Sequence, residues 1–263
     1  MRGPLEELYR RYNHREFVHP DPLEFLYDYP EVADREIVGL IASSLAYGRV
    51  AQLLKSVATV LEVVGPGPAE FLASETGGTL EEAFAGFKHR FTTGSQIAGL
   101  LLGARRAIEK HGSLNACFLS GYDASEETVV AAMHRFATEV TGLAGCPCDF
   151  LLPSTAGGSA CKRLNLYLRW MVRSDEVDPG GWTGVSPASL IVPLDTHMFK
   201  TGRALGFTAR KSADIKAALE VTAGFRGIVP ADPVRYDFSL TRLGIRSESS
   251  LEEFIGGLEE AQG

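Results

Sequence analysis

Apolar residues recur along most of this chain with the period of an α-helix. Ile37, Val38, Leu40, Ile41 and Leu45 fall on one face of a segment that Asp34 can cap, predicting a helix that runs to about Tyr47 and stops at Gly48. A second helix is predicted over Val50–Val64, ended by the turn Gly65-Pro66-Gly67-Pro68. Thr79–Phe87 opens with Thr-Leu-Glu-Glu, a capping-box pattern, and Ser95–Lys110 and Glu126–Thr141 are amphipathic. Strand-like alternation is nearly absent, so the expected fold class is all-α.

The pattern changes after Asp149. Residues Leu151 to Ala160 (LLPSTAGGSA) form a small-residue hairpin, where the backbone can turn sharply and approach another molecule. A helix over Ala160 to about Arg173 follows. Leu164, Tyr167, Leu168, Met171 and Val172 make its buried stripe, and Lys162, Arg169 and Arg173 share a different face that is expected to be open. A Gly/Pro-rich loop, Asp178 to Pro187, leads into Val192-Pro193-Leu194-Asp195-Thr196-His197-Met198. Asp195 or Thr196 can cap the next helix, which stops at Gly206. Further helices are predicted over Lys211–Thr222 and Tyr236–Leu243.

Composition adds little until charge is mapped. The 263 residues carry 26 Lys and Arg against 33 Asp and Glu, a net charge of −7 that alone speaks against a nucleic-acid partner. From Phe150 to Arg246, however, 13 basic residues face 8 acidic ones, whereas Ser247–Gly263 holds five Glu and no base. A basic central surface can thus be hidden in the total. No apolar run is long enough to span a bilayer and no signal-like segment opens the chain, so a cytoplasmic protein without membrane contact is expected. Cys117, Cys146, Cys148 and Cys161 lack metal-ligand spacing and read as free thiols, so neither metal nor cofactor is expected.

The order of hairpin, lysine helix, Gly/Pro loop and aspartate resembles the helix-hairpin-helix–Gly/Pro-Asp superfamily of base-excision DNA glycosylases. Ser159-Ala160-Cys161-Lys162 stands where that superfamily carries the end of its hairpin and its catalytic lysine. The Val192–Met198 segment looks like its V-P-x-D-x-H segment, and Glu36–Leu54 is similar to its first long helix and turn. Lys162 and Asp195 are 33 residues apart, a long gap similar to that of the archaeal 8-oxoguanine glycosylase branch, the nearest characterised one; the pattern also fits an uncharacterised bacterial family. Two departures stand out. The hairpin reads Leu-Pro-Ser-Thr-Ala-Gly-Gly in place of L-P-G-x-G, and Leu166 replaces the aromatic that the archaeal branch carries four residues after its lysine.

The resemblance implies a two-lobed helical fold: a barrel-like lobe over about 34–148 and a second lobe from 1–33 with 149–263, the active-site cleft between them. It implies Lys162 as nucleophile and Asp195 as its acidic partner. Gly157, Gly158, Ser159, Thr196, His197, Arg163 and Arg169 would hold DNA, the glycine turn and the helix start through backbone N–H groups. Tyr47, Arg49, Gln52, Leu166, Trp170 and Phe199 are candidates for the base pocket or for a wedge, with Trp182 and Tyr236 as further walls. The implied activity is removal of an oxidised purine, foremost 8-oxoguanine, from double-stranded DNA with AP-lyase action, by a monomer associated with a bacterial or archaeal nucleoid. A monofunctional glycosylase for another damaged base, or an inactive binder of DNA structure, remain the alternatives.

Overall fold

A computed structural model describes residues 1–243 together with Phe254 and Gly256. The acidic stretch over 247–263 thus lies, but for those two residues, outside the described part. Among the described residues there are twelve α-helices: α1 (Arg2–Tyr12), α2 (Val32–Ser44), α3 (Val50–Val64), α4 (Pro68–Ser74), α5 (Gly77–Ala83), α6 (Gly94–His111), α7 (Leu114–Leu119), α8 (Val130–Gly142), α9 (Lys162–Val172), α10 (Thr196–Ala204), α11 (Ile215–Arg226) and α12 (Asp237–Leu243). The only strands among them are β1 (Lys88–His89) and β2 (Thr92–Thr93), a two-stranded antiparallel hairpin.

α2 is the central element. Every residue from Glu36 to Ser44 is buried, so this helix is wrapped on all sides rather than on one stripe. It packs on α9, on α3, α4 and α7, and on a 3₁₀ segment over 22–28, while α5, α7 and α8 pack on α6. Crossing of α2 and α9 is close at Gly39, where a Cβ would come within 3.1 Å of the Tyr167 ring. One buried carboxylate ties these parts together. Glu36 accepts hydrogen bonds from the N–H groups of Leu114 (2.9 Å) and Asn115 (3.1 Å) in the first turn of α7 and from Trp182 Nε1 (3.0 Å), and Tyr167 donates to the Glu36 carbonyl (2.9 Å). A buried carboxylate with three donors escapes the cost of burial without partners.

At the other side α12 packs on α1 and α10, and α10 on α11. α9 packs on α2 and reaches the start of α10 and α12 through the ion pairs Lys162–Asp195 and Arg169–Asp237. Several boundaries differ from those predicted. Thr76, not Thr79, caps α5, and Thr79 is the third residue of a reciprocal capping box. α11 begins at Ile215 because Asp214 caps it through the Ala217 N–H, leaving Lys211 in the loop. α4 starts at Pro68, inside the predicted turn, because proline suits a first helical position.

One face of α9 departs from expectation. Arg169 and Arg173 are 3% and 5% exposed. Their helix face packs inward because carboxylates remote from α9's own pattern meet them: Arg169 pairs with Asp178 (3.1 Å) and Asp237, and Arg173 with Asp178, Asp175 (2.8 Å) and Asp232 (3.0 Å).

Candidate active site

Lys162 is the first residue of α9. The turn before it is built from Ser154, whose hydroxyl accepts from the Ala156 N–H, and from Gly158 in the left-handed region at φ 76°. Cys161 is also left-handed, at φ 46°, which costs a non-glycine residue energy and needs support from its surroundings. Support comes from Ser159 Oγ, which accepts from the Cys161 N–H at 3.1 Å, while Cys161 itself is buried. The turn is also pinned to the start of α11, where Ile215 donates to the Gly158 carbonyl at 3.0 Å. Gly157, Gly158 and Ser159 nonetheless stay exposed.

Asp195 arrives from the opposite direction. It caps α10, accepting from the Met198 N–H at 2.8 Å with one oxygen, and its other oxygen lies 3.1 Å from Lys162 Nζ. Burial would raise the Asp195 carboxyl, but the Lys162 charge and the Met198 N–H outweigh it and hold the group below the ordinary aspartate value, ionised at neutral pH. The two side chains are about a third exposed and open onto one cleft of about 310 Å³. That volume falls at the lower end of ligand pockets, roughly 300–1,000 Å³. Its walls come from the α2–α3 corner (Tyr47, Gly48, Leu53), from α9 (Lys162, Leu166, Arg169), from Pro193 and Asp195, from α12 (Asp237, Thr241, Arg242) and from Pro20–Pro22. A second cavity of about 380 Å³ lies between α2, α4 and α6, lined by Val32, Ala33, Ala69, Leu72 and Ile108 among others. It is mainly apolar, and the ion pair that lines it, Arg105–Glu109 (2.7 Å), has no amine to act as a nucleophile. A third cavity, of about 460 Å³, is lined by the pair Lys110–Glu139 (2.6 Å), but only the first cleft sets its amine and carboxylate over a further buried carboxyl, Asp237.

The remaining sequence candidates divide. Tyr47 and Leu166 line the cleft. Thr196 and His197 open α10 beside it, with His197 Nε2 3.2 Å from the Leu240 carbonyl. Arg163 spends its guanidinium on the carbonyls of Ser44 (2.8 Å) and Phe150, and it lies over the rings of Tyr47 and Phe150, which meet edge-on, so it braces the cleft wall rather than reaching outward. Arg169 reaches the cleft floor but is buried in ion pairs, which removes it as a phosphate contact. Trp170, Trp182 and Tyr236 are buried in the core and lie outside the cleft lining. Arg49 and Gln52 are exposed on the first turn of α3, outside the cleft lining, and Phe199 packs partly against the core.

Two features were not recognised from the sequence, although Arg90, in the run Lys88-His89-Arg90, is open to reading as a DNA contact or as a solvated charge. One is Asp237, buried at the cleft floor. The other is the β1–β2 hairpin, bolted to the cleft wall: Tyr47 donates its hydroxyl to the His89 carbonyl (2.8 Å) and meets Thr92 Oγ1 (2.7 Å), and His89 Nε2 lies 3.0 Å from the Tyr47 carbonyl. Arg90, left-handed at φ 51°, folds over Gly48, and Phe91 beside it is 70% exposed. A large apolar side chain following three residues Lys-His-Arg is the signal that could have marked it. Among the described residues no three His, Cys, Asp or Glu side chains converge as a metal would need, and no helix is long and apolar enough to cross a membrane.

A family model described as "Protein of unknown function (DUF2400)" matches residues 21–246. The chain belongs to the DUF2400 family. No curated protein and no solved structure matches it. The DUF2400 match contains the glycine turn, Lys162, Asp195 and Asp237, and therefore nearly all of the cleft.

Proposed function

We propose that this protein is a helix-hairpin-helix DNA glycosylase with AP-lyase activity, acting on an oxidised purine, foremost 8-oxoguanine, in duplex DNA. One observation carries the proposal: the Lys162 amine and the Asp195 carboxylate, 33 residues apart in sequence, meet at 3.1 Å on one cleft. Breaking an N-glycosidic bond builds positive charge on the sugar, which the ionised Asp195 would stabilise. The Lys162 amine, once it has given up its proton, would form a bond to C1′ as the bond to the base breaks with its electron pair leaving on the base. Ring opening with loss of a proton then gives an imine, from which the 3′ phosphate can be eliminated.

The surroundings support a DNA partner. The exposed glycine turn immediately before Lys162 and the start of α10 both offer backbone N–H groups that can hold phosphates. An extruded base must leave the stack at a cost of a few kcal/mol, roughly. The exposed Phe91, next to Arg90 at the rim, is suited to take the vacated place. Borohydride trapping tests the proposal: wild type incubated with an 8-oxoguanine duplex should give a covalent protein–DNA adduct, and Lys162→Gln should give none. An adduct that persists in Lys162→Gln, or no adduct from wild type on any lesion-bearing or abasic duplex, would overturn it.

A further inference from the structure

The cleft floor opens onto a buried chain of charges. Asp237 pairs with Arg169, Arg169 with Asp178, Asp178 with Arg173, and Arg173 with Asp175 and Asp232. Four carboxyl groups thus share two guanidinium groups. Nearby Arg235 does not settle the imbalance, since it is itself paired with Glu6 at 3.0 Å. Lys162 offsets Asp195. A buried chain with more carboxylates than cations favours taking up a proton.

Hydrogen bonding says where that proton goes. Asp178 has an arginine on each oxygen. Both Asp232 oxygens accept from Arg173 Nε, at 3.1 and 3.0 Å. Asp175 accepts from two backbone N–H groups, from Arg173 and from the Tyr9 hydroxyl. Asp237 differs: Arg169 holds Oδ2, whereas Oδ1 is buried without a hydrogen-bond partner. An ionised oxygen without a donor is the costliest place in the chain for negative charge, and a protonated one becomes a donor.

We propose that Asp237 is a further catalytic residue of the proposed glycosylase reaction, the acid whose Oδ1–H, closed off in this structure, turns into the cleft to protonate the departing purine. It lines the same cleft as Lys162 and Asp195. In the step, the C1′–N bond breaks and its electron pair moves into the purine. The Asp237 proton passes to a ring nitrogen of that purine, so that the base leaves neutral. Lys162, having first released its proton to water, forms the new C1′–N bond, and Asp237 remains as a carboxylate on Arg169 until it regains a proton from water. Two carboxyl groups then divide the work by their environment: Asp195, held ionised, stabilises the sugar cation, and Asp237 delivers the proton.

The titration agrees with the geometry. Burial pushes the Asp237 carboxyl up to about 6, with the Asp195 charge adding to the rise and the Arg169 and Lys162 charges opposing it. Burial raises Asp178 and Asp232 too, so what singles out Asp237 is its undonated oxygen and its place in the cleft lining. The other polar groups facing this region are His197 on α10, with Nε2 3.2 Å from the Leu240 carbonyl of α12, and Asp21 and Arg242 in the cleft lining, which pair with each other at 2.7 Å. The acid is present below about 6 and is lost as pH rises through that value.

The proposal rests on the glycosylase function, and an abasic duplex separates the two, because adduct formation there needs Lys162 but has no base to protonate. Single-turnover release of 8-oxoguanine by Asp237→Asn should fall about 100-fold, within the range of general-acid catalysis. Adduct formation on the abasic duplex, which has no base to protonate, should fall at least about tenfold less than base release does. Wild-type base release should also show a falling limb centred on about pH 6 that abasic adduct formation lacks. If Asp237→Asn does not fold, these wild-type profiles decide alone. Equal losses on both duplexes by a folded variant, unchanged base release, or the same limb on both substrates would overturn the acid role while the glycosylase function stands. Absence of any wild-type adduct on abasic DNA would remove the glycosylase function and the acid role with it. Adduct formation without 8-oxoguanine release by wild type would overturn the acid role for this base.

Discussion

The two ends of α9 carry cations with opposite surroundings. Lys162, in the first turn, meets a single carboxylate at the mouth of a cleft, each partner about a third exposed. Arg169 and Arg173, two and three turns later, are sealed in with four carboxylates from three other segments. A half-open pair of the first kind adds little to folding, about 0–1 kcal/mol, because water and side-chain entropy offset its attraction. Buried pairs of the second kind are not cheap ways to stabilise a fold either, but each becomes costly to break once made, since the survivor is left charged and dry. The first end is therefore free to serve chemistry, while the second fixes the helix that carries it and ends, at Asp237, on the floor of the same cleft.

The sharpest way to break this contrast is at Lys162. Lys162→Gln should abolish the borohydride-trapped adduct with 8-oxoguanine and abasic duplexes, yet change unfolding free energy in urea by less than about 1 kcal/mol. Loss of the fold along with the adduct would mean that the two ends are structurally alike. At the other end, Arg169→Met should cost about 3–5 kcal/mol in the same urea titration, because Asp178 and Asp237 lose their shared cation. A cost below about 1 kcal/mol would show that the chain of charges relaxes easily and does not hold α9.

Asp195 tests both roles in one residue. Asp195→Asn keeps an N-cap, since asparagine caps as well as aspartate, so stability should stay within about 0.5 kcal/mol of wild type. It removes the negative charge beside Lys162, and base release should fall roughly 10²- to 10³-fold, the scale of losing one electrostatic contact to a transition state. Asp195→Ala should add a loss of about 1 kcal/mol in stability from the missing cap. If Asp195→Asn leaves base release intact, Asp195 is only a cap.

Which parts of this were legible in the sequence follows from how far each signal reaches. Val50–Val64 is a helix with the predicted bounds because its stripe and its Gly/Pro stop are local. Asp195 as a cap is local too. The meeting of Lys162 and Asp195 is not, and it could be expected only through the resemblance of the two segments around them. Arg169 and Arg173 were placed on an open face because helical periodicity within 160–173 contains none of their partners, which sit up to 68 residues away at Asp237. α1 and α4 escaped notice for other reasons. α1 has eleven residues but buries only Leu5, Leu8 and Tyr12 in a charge-rich stretch, whereas α4 is short and begins within a Gly-Pro-Gly-Pro run whose breaker signals hide its own proline start. Asp237 had no motif at all; its interest arises from one oxygen without a partner.

The smallest expected effect concerns a third kind of group, one that spends nothing on either folding or ion pairing. Phe91 is 70% exposed at the tip of a hairpin whose base is fixed to the cleft wall through Tyr47 and His89. Among the described residues its ring meets Phe150, at 6.2 Å between centroids, and the Arg90 guanidinium, at 5.5 Å. Truncation to alanine should therefore leave stability within about 0.5 kcal/mol. If Phe91 enters the space of an extruded base, it exchanges water for stacked bases, and such contacts are worth about 1–3 kcal/mol. Fluorescence anisotropy with a duplex carrying a stable abasic analogue should then show Phe91→Ala binding about tenfold more weakly, with a smaller loss on undamaged duplex, where no base has left. Equal affinities of wild type and Phe91→Ala for the abasic duplex would show that the hairpin tip stands clear of DNA, and the contrast would then lie within α9 alone.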